Sequence, residues 1–296
     1  MLLYPRTQRL IAHHRKARFV ATLLAFTTGA MLLGPVPGAS AAPPPYPADP
    51  AGPTRVSGPM THPELDWAGS TVAAHEGTSF SPSTLLAPAG IPGIDVSSHQ
   101  GNVNWAAQWN NGVRFAYVKA TEGTTYRNPY FAQQYVGSYN VGMIRGAYHF
   151  ALPDRSSGAT QANFFASNGG AWSRDNQTLP GALDIEYNPY GATCYGLSQS
   201  AMRSWIASFI NTYHSRTGRW ATIYTTTDWW RTCTGNYGGF AANNPLWIAR
   251  YASTVGTLPA GWSFYTFWQW TSSPIDQNVF NGSRARLIAL ANNTPL

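Results

Sequence analysis

The sequence predicts an α/β fold, a single barrel related to the (β/α) barrels, with parallel strands first and antiparallel strands at its C-terminal end. Three observations predict it. From residue 93 onward, short apolar runs typical of strands alternate with segments of helical spacing. The later strand-like runs follow one another through shorter connections, as antiparallel strands do. Polar side chains collect after the strand-like runs, at the edge where (β/α) barrels carry their chemistry.

The first half of this domain alternates regularly between strand and helix. The predicted strands cover 93–97, 113–120, 143–150 and 181–186. The predicted helices cover 105–110, 128–139 and 160–171. The second and third strands are apolar over most of their length, which is typical of strands covered on both faces. The second helix places Tyr130, Phe131 and Tyr135 on one face.

The clearest helical pattern of the chain opens the second half, at 198–217. Gly218 supplies its stop signal. Six apolar residues recur there at helical spacing: Met202, Trp205, Ile206, Phe209, Ile210 and Tyr213. Three strand-like runs follow at 221–224, 246–251 and 264–270. Together these elements fill residues 92–296, a length that suits one domain with a sizeable core.

Residues 1–41 have the pattern of a secretory signal peptide. Basic residues precede an apolar run at 19–33, and Ala39-Ser40-Ala41 fits the small-residue cleavage rule. A membrane-anchoring helix is the alternative, but the run is too short to span a bilayer and ends at Gly34 and Pro35. We therefore expect a secreted, extracellular protein that has no membrane insertion after cleavage of the signal.

Removal of that segment changes the charge of the protein. The chain has 19 Lys and Arg residues against 12 Asp and Glu, and five of the basic residues precede the apolar run, which leaves 14. The remainder is nearly neutral, so the sequence gives no indication of a nucleic-acid partner. Aromatic residues make up 14% of the chain and charged residues 10%, a balance found in sugar-binding proteins and in ordinary secreted cores alike.

Residues 42–91 are predicted to be a linker or pro-region ahead of the domain at 92–296. The segment is rich in Pro, Gly, Ser and Ala and has no long periodic run. Within it, residues 60–77 include Trp67, His75 and Glu76, which is more than a bare spacer requires. An ordered extension that packs on the domain is therefore a second interpretation of this stretch.

The chain has two cysteines, Cys194 and Cys233. Because an exported protein meets oxidising conditions, we predict that they form a disulfide, with two free thiols as the alternative. A metal site is not expected, since two isolated cysteines lack the paired spacing that zinc needs. No cofactor is expected either.

Asp184 and Glu186 are the most informative chemical feature of the chain. Alternation along a strand places both on one face, with Ile185 behind them and their backbones roughly 6.5 Å apart. Apolar residues before them and turn residues after them indicate a buried strand that ends in a loop. Carboxyl pairs at this separation suit cleavage of a glycosidic bond. A chance triplet on a solvated edge is the alternative.

Other polar side chains also follow predicted strands. Lys119 with Glu122 could instead form an ion pair at the rim, His149 could be a core histidine with satisfied hydrogen bonds, and Asp276 could be a turn or cap residue. Their recurrence at one end of the strands favours a shared site. The set comprises Asp95, Lys119, Glu122, Tyr148, His149, Asp184, Glu186, Tyr224, Trp247, Arg250, Tyr251, Gln269 and Asp276.

A series of sequence blocks between residues 92 and 296 resembles the glycoside hydrolase family 25 lysozymes, the Chalaropsis type, and especially their secreted actinobacterial members. The blocks are 93–100, 104–105, 115–123, 146–150, 183–186, 245–251, 268–270 and 275–278. The resemblance implies a flattened, irregular β/α barrel. It also implies a muramidase that cleaves the β-1,4 bond between N-acetylmuramic acid and N-acetylglucosamine in the glycan strands of bacterial peptidoglycan. We expect this enzyme to act as a monomer without a cofactor.

The same resemblance implies roles for individual residues. Glu186 matches the general acid, and Asp184 matches the residue that assists the substrate's acetamido group as it attacks the anomeric carbon. Asp95 and Asp276 match outer carboxylates of the pocket, and Tyr148 matches a tyrosine that contacts the sugar. The further candidate substrate-binding residues are Lys119, Glu122, Trp247, Tyr251, Gln269 and Tyr224. Trp270 stands where many members have tyrosine, which affects sugar-facing details only.

The physical chemistry of such a cluster agrees with these roles. Four neighbouring carboxyl groups cannot all ionise cheaply, so we expect at least one raised pKa and Glu186 as the protonated member. Direct attack by the charged partner and assistance of the acetamido group both remain compatible with the spacing. Retention of the anomeric configuration is predicted.

Three rival interpretations fit less well. A chitinase-type hydrolase needs further aspartates on the fourth strand, where the chain has Pro180, Gly181 and Ala182. A wall-binding protein without activity would be expected to have lost one member of the acid pair, and both are present. A structural secreted protein explains neither the polar residues after the strands nor the ordered blocks.

Overall fold

The computed structural model describes residues 64–65, 67–79 and 87–294. The predicted signal peptide at 1–41 lies outside them and stays a prediction. The described residues all belong to one structural unit, which covers 42–296. A membrane-crossing helix is absent from the described part of the chain.

The strands form one sheet that closes into a barrel, as the sequence predicts. In chain order the strands are β1 (Ile91–Val96), β2 (Phe115–Glu122), β3 (Tyr126–Arg127), β4 (Ile144–Phe150), β5 (Ala182–Asp184), β6 (Thr222–Thr225), β7 (Leu246–Ala249), β8 (Phe267–Thr271) and β9 (Gln277–Phe280). Their order in the sheet is β1-β9-β8-β7-β6-β5-β4-β2-β3, and pairing of β1 with β2 closes an eight-stranded ring outside which β3 lies. Within the ring only β9 runs antiparallel to its neighbours, which confirms the predicted antiparallel C-terminal end.

The helices pack around this ring. Within the described residues they are α1 (Val72–Glu76), α2 (Trp105–Asn110), α3 (Phe131–Asn140), α4 (Gly158–Ser167), α5 (Gln199–Thr217), α6 (Thr227–Thr234) and α7 (Arg284–Asn292), with a 3-10 helix at Ser98–Gln100. Five of them begin with a side chain that accepts a hydrogen bond from the backbone three residues later, which satisfies a donor left free at each start. These N-cap residues are Asn104, Ser157, Ser198, Thr226 and Ser283.

The sequence pattern located the long elements better than the short ones. Helix α2 has the predicted bounds, and α5 begins one residue later than predicted. Strand β5 is shorter than predicted because it ends at Asp184, so Glu186 lies two residues beyond it. The predictions contain no counterpart of α1, α6, α7, β3 or β9. Each of these spans nine residues or fewer. Length alone does not explain the omission, because α2, β5, β6 and β7 are also short and were predicted.

Alternation along the strands divides the core into two layers. On β2, Ala116, Val118 and Ala120 pack with the residues of the surrounding helices. Phe115 and Tyr117 alternate with them and pack with aromatic residues of other strands. The barrel interior is therefore filled largely by aromatic rings.

Cys194 and Cys233 form a disulfide, as predicted. Their Cα atoms are 5.3 Å apart, and 39 positions of sequence separate them. The bond ties the loop that follows β5 to helix α6. Because that loop begins directly after the acid pair, the crosslink fixes one wall of the predicted site.

We predict that the double variant Cys194→Ala/Cys233→Ala loses about 2–4 kcal/mol of unfolding free energy, because the crosslink restricts the unfolded chain. Guanidinium denaturation of the oxidised protein and the variant measures the difference. Equal midpoints and equal slopes in the two curves would contradict this.

Candidate active site

Four acidic side chains are buried at one edge of the barrel. Asp95 lies near the end of β1 and Asp184 ends β5, so both occupy carboxyl ends of parallel strands. Glu186 follows β5, and Asp276 immediately precedes the antiparallel β9, which places it at the same edge. None of the four is more than 2% exposed. The structure therefore brings together all four carboxylates that the sequence predicts for the site.

The pKa values of these groups are all raised. Burial raises the pKa of Glu186 to about 8 and that of Asp95 to about 7. Burial also raises the pKa of Asp184 and of Asp276 well above the ordinary value, with a further rise from the charge of Glu186 on the former and of Asp95 on the latter. The cluster consequently retains protons at neutral pH and is able to donate one.

Asp95 is the member of the cluster with the most hydrogen-bond donors around it. Asn278 Nδ2 donates to its Oδ2 at 2.6 Å, and Gln269 Nε2 donates to the same oxygen at 3.0 Å. Trp247 Nε1 in turn donates to Asn278 Oδ1 at 2.7 Å, which fixes the orientation of that amide. These donors favour the ionised form of Asp95 and lower its pKa against the effect of burial.

A wall of tyrosines and one tryptophan lies beside the carboxylates. Tyr224 Oη donates to Gln269 Oε1 at 2.7 Å, and Tyr251 Oη lies 3.1 Å from the same atom. Trp247 is fully buried and meets the rings of Tyr148 and Tyr224 edge to face. The predicted substrate-binding residues on β4, β6, β7 and β8 thus form one connected group.

Lys119 and Glu122 form a second polar group near the acid pair. Lys119 Nζ lies 2.6 Å from Glu122 Oε2, and Tyr190 Oη donates to Glu122 Oε1 at 2.8 Å. The two residues thus form the ion pair that the simpler interpretation expects, with the lysine side chain fully buried and the glutamate side chain nearly so. The positive charge of Lys119 acts on Asp184 and lowers its pKa against the larger effect of burial.

His149 is a core histidine, as the simpler interpretation holds. Its Nε2 lies 2.9 Å from Gln161 Oε1, and its Nδ1 lies 2.8 Å from Thr121 Oγ1. Burial lowers the pKa of His149 to about 3, so the ring is neutral. A neutral ring that donates to the Gln161 oxygen through Nε2 accepts from the Thr121 hydroxyl at Nδ1. Both ring nitrogens are occupied by this packing role.

Several acceptor atoms of the cluster have no hydrogen-bond partner among the described residues. They are both carboxylate oxygens of Asp184, Oε2 of Glu186, and Oδ1 of Asp95 and Asp276. Buried polar atoms without partners are uncommon and concentrate at functional sites. Hydroxyl and amide groups of a bound sugar are donors of the kind that these atoms lack.

The sequence reasoning missed two parts of the site. Asn278 lies in the sequence block 275–278, but the sequence pattern does not indicate its role. That role depends on its hydrogen bond to Asp95 across the closed barrel. Ala68 and Gly69, from the segment ahead of the domain, contact the site directly. The sequence allowed an ordered extension over 60–77, but it did not point to these two residues, because both make their contacts through the backbone. Among the described residues, no group of three or more His, Cys, Asp or Glu side chains is arranged to hold a metal ion.

Buried carboxyl groups at the carboxyl edge of a β/α barrel suit acid catalysis of glycosidic cleavage, and sequence comparison identifies the protein as a glycoside hydrolase. Residues 94–279 match the family described as Glycosyl hydrolases family 25, and the chain belongs to that family.

Relatives and solved structures agree with this assignment. Lysozyme M1 of Streptomyces globisporus is 54% identical over 214 residues, which cover 70% of this chain and 73% of the relative. The N,O-diacetylmuramidase of Chalaropsis sp is 45% identical over 208 residues, or 68% of this chain and 99% of the relative. The structure of the lysozyme from Streptomyces coelicolor aligns with a TM-score of 0.69 at 53% identity and covers 71% of this chain and 100% of its own.

We predict that Glu186→Gln is more stable than the unchanged chain at alkaline pH, and that the two proteins are about equally stable at acid pH. The folded-state pKa of Glu186 lies above its unfolded value, so the folded protein binds the extra proton. Unfolding free energy therefore falls as pH rises between about 4.5 and about 8, and the glutamine removes this loss.

The melting temperatures of the two proteins should be similar at pH 4, and that of the variant should be higher at pH 8 by about 2 °C or more. Calorimetry at the two pH values measures this. The exposed Asp154→Asn is the control, for which no such dependence is expected. An equal difference at both pH values for Glu186→Gln would contradict the assignment.

Proposed function

We propose that the protein is a secreted N-acetylmuramidase that hydrolyses the β-1,4 bond between N-acetylmuramic acid and N-acetylglucosamine in bacterial peptidoglycan. Membership of family 25 and the names of its relatives, lysozyme and N,O-diacetylmuramidase, support this bond and this substrate. The observation that carries the proposal is the buried cluster of Asp95, Asp184, Glu186 and Asp276 at the barrel edge. The signal-peptide pattern at 1–41 supports export, and we propose that the protein acts as a monomer.

Glu186 is the proposed general acid. Its pKa of about 8 keeps the carboxyl group protonated at neutral pH, which a proton donor requires. As the bond between the anomeric carbon and the glycosidic oxygen breaks, the electron pair stays on that oxygen and the proton of Glu186 moves to it. Glu186 is left as a carboxylate, able to act as a base in the second half of the reaction.

Asp184 is the proposed partner of the substrate's acetamido group. Its two carboxylate oxygens have no hydrogen-bond partner among the described residues, so an amide N–H is a suitable donor to it. The charge of Lys119 favours the ionised form, against the larger effect of burial, which raises the pKa. The acetamido oxygen then forms a bond to the anomeric carbon from the face opposite the leaving group. Water, deprotonated by Glu186, later displaces that oxygen. Two displacements at the same carbon give retention.

The product's new reducing end tests the bond specificity. We expect mass spectrometry of borohydride-reduced digests of purified peptidoglycan to show reduced muramic acid. Reduced glucosamine would agree with a glycoside hydrolase but would contradict the proposed cleavage after N-acetylmuramic acid. The absence of any released fragment from several wall types would favour a wall-binding protein instead.

The variant Glu186→Gln tests the role of the acid. We expect kcat to fall by about 10²–10⁴ with a much smaller change in KM, because the amide can still hydrogen-bond to sugar but has no acidic proton to transfer to the leaving oxygen. Asp154→Asn, which is exposed, serves as the control with unchanged kcat. A Glu186→Gln variant that lyses walls at the original rate would reject this role.

The anomer formed first tests the stereochemistry. We expect time-resolved proton NMR of a soluble wall oligosaccharide to show the β anomer of the new reducing end before mutarotation, since double displacement retains the configuration. Initial appearance of the α anomer would show a single displacement by water and would reject the role proposed for Asp184.

A further inference from the structure

Residues 67–79, which we call the plug segment, lie in the candidate active site of the same chain. The segment contains helix α1 and precedes residue 94, where the family match begins. Ala68 and Val72 are fully buried against the barrel and belong to the same core cluster as Tyr148, Tyr224 and Tyr251. A surface linker would not bury apolar side chains among the residues of a catalytic pocket.

The backbone atoms of Ala68 and Gly69 form hydrogen bonds with residues of the candidate active site. Gly69 N donates to Glu186 Oε1 at 2.6 Å. Gln269 Nε2 donates to Ala68 O at 2.9 Å, and Tyr251 Oη donates to Gly69 O at 3.0 Å. The peptide unit between Ala68 and Gly69 is thus bound at its carbonyl by one site residue and at its N–H by the proposed general acid.

The rest of the segment is anchored on the loop that follows the acid pair. Tyr187 Oη donates to Glu76 Oε1 at 2.8 Å. The ring of His75 stacks on the ring of Tyr187, with centroids 3.9 Å apart and planes 4° apart. Ser79 N donates to Tyr251 O at 3.1 Å, on the other side of the site. The segment is therefore held near its N-terminal end, at residues 75 and 76, and at its C-terminal end.

Gly69 fits its position because it has no side chain. Its φ of 88° lies in the left-handed region, which disfavours other residues. An added Cβ would lie 2.3 Å from Tyr251 Oη, 2.5 Å from Gln269 Oε1 and 2.7 Å from Tyr224 Oη, closer than atoms can approach. Any larger residue at position 69 must displace either these site residues or the segment itself.

The contacts are chemically suited to compete with a sugar. A peptide unit and an acetamido group are both secondary amides, each with one N–H donor and one carbonyl acceptor. A pocket built for an N-acetylated sugar therefore has partners for a peptide backbone. Covalent attachment adds to this, because a tethered ligand has an effective concentration of about millimolar or higher.

We propose that the plug segment is an intramolecular inhibitor that holds the exported chain in a latent form. The enzyme becomes active when an endoprotease hydrolyses a peptide bond C-terminal to Ser79 and so separates the segment from the barrel. This proposal rests on the proposed function, because latency is defined by the activity that the segment blocks. In this proposal the substrate cleft binds a peptide, and that peptide is a segment of the same chain.

The test compares two glycine variants of the full exported chain, produced in a protease-deficient host. Gly69→Val should expel the segment, since the side chain collides with three site residues. Gly77→Val is the matched control. That position also has positive φ, at 72°, but an added Cβ there meets nothing within 4 Å. Backbone strain is common to both variants, and the collision is specific to the first.

Two measurements distinguish binding of the segment from the activity of the enzyme. Hydrogen exchange of peptides that cover 67–79 reports whether the segment is bound, and turbidity of a wall suspension reports lysis. We expect protection of these amides in the unchanged chain and in Gly77→Val, and loss of it in Gly69→Val. We expect Gly69→Val to lyse walls about tenfold faster or more, an increase that misfolding cannot produce.

Two results would overturn the proposal. One is rapid exchange of the segment in the unchanged chain. The other is a lysis rate for Gly69→Val that equals or falls below that of the unchanged chain; a fall is the result expected of a segment that binds walls. If protection is lost as expected but no protein lyses any wall, even after the segment is removed by proteolysis, the muramidase function fails while binding of the segment stands.

Discussion

Burial of four carboxyl groups at one edge of a closed barrel is the constraint on which the rest of the structure depends. Each buried carboxylate loses its hydration, and the like charges of its neighbours add to that cost. The raised pKa values of Glu186 and Asp95 express this energy. A proton retained at neutral pH is the useful consequence, since a general acid needs one. The aromatic core beneath supplies the surroundings of low polarity that keep it there.

Closure of the barrel by β9 determines how the cluster is arranged. Asn278 pairs with Gly93 on one side and with Gln269 on the other. Asp95 stands two residues after Gly93 and on the same face of β1, so the amides of both Asn278 and Gln269 reach its carboxylate. The register of the one antiparallel strand of the ring therefore places both amides beside Asp95.

Much of this arrangement could be predicted from the sequence, and the remainder could not for physical reasons. Apolar alternation located the long strands. The rule that chemistry lies at their carboxyl ends included all four acids among its candidates, and the family resemblance selected them. The strand β9 spans four residues, too few for a pattern, so the role of Asn278 emerges only when the sheet closes. The contacts of Ala68 and Gly69 come from the backbone, which every residue has, and no side-chain pattern could reveal them.

The bond from Gly69 N–H to Glu186 affects chemistry as well as access. An N–H donor needs an acceptor, so it stabilises the ionised form of the carboxyl group and lowers its pKa. A general acid must carry a proton before the glycosidic bond can break. In the segment-bound chain the effect of this N–H is outweighed by burial, and the charge of Glu76 in the same segment adds to the rise, so the pKa of Glu186 is about 8. The segment therefore acts mainly on access: Glu186 Oε1 is occupied by the Gly69 N–H and is freed only when the segment leaves.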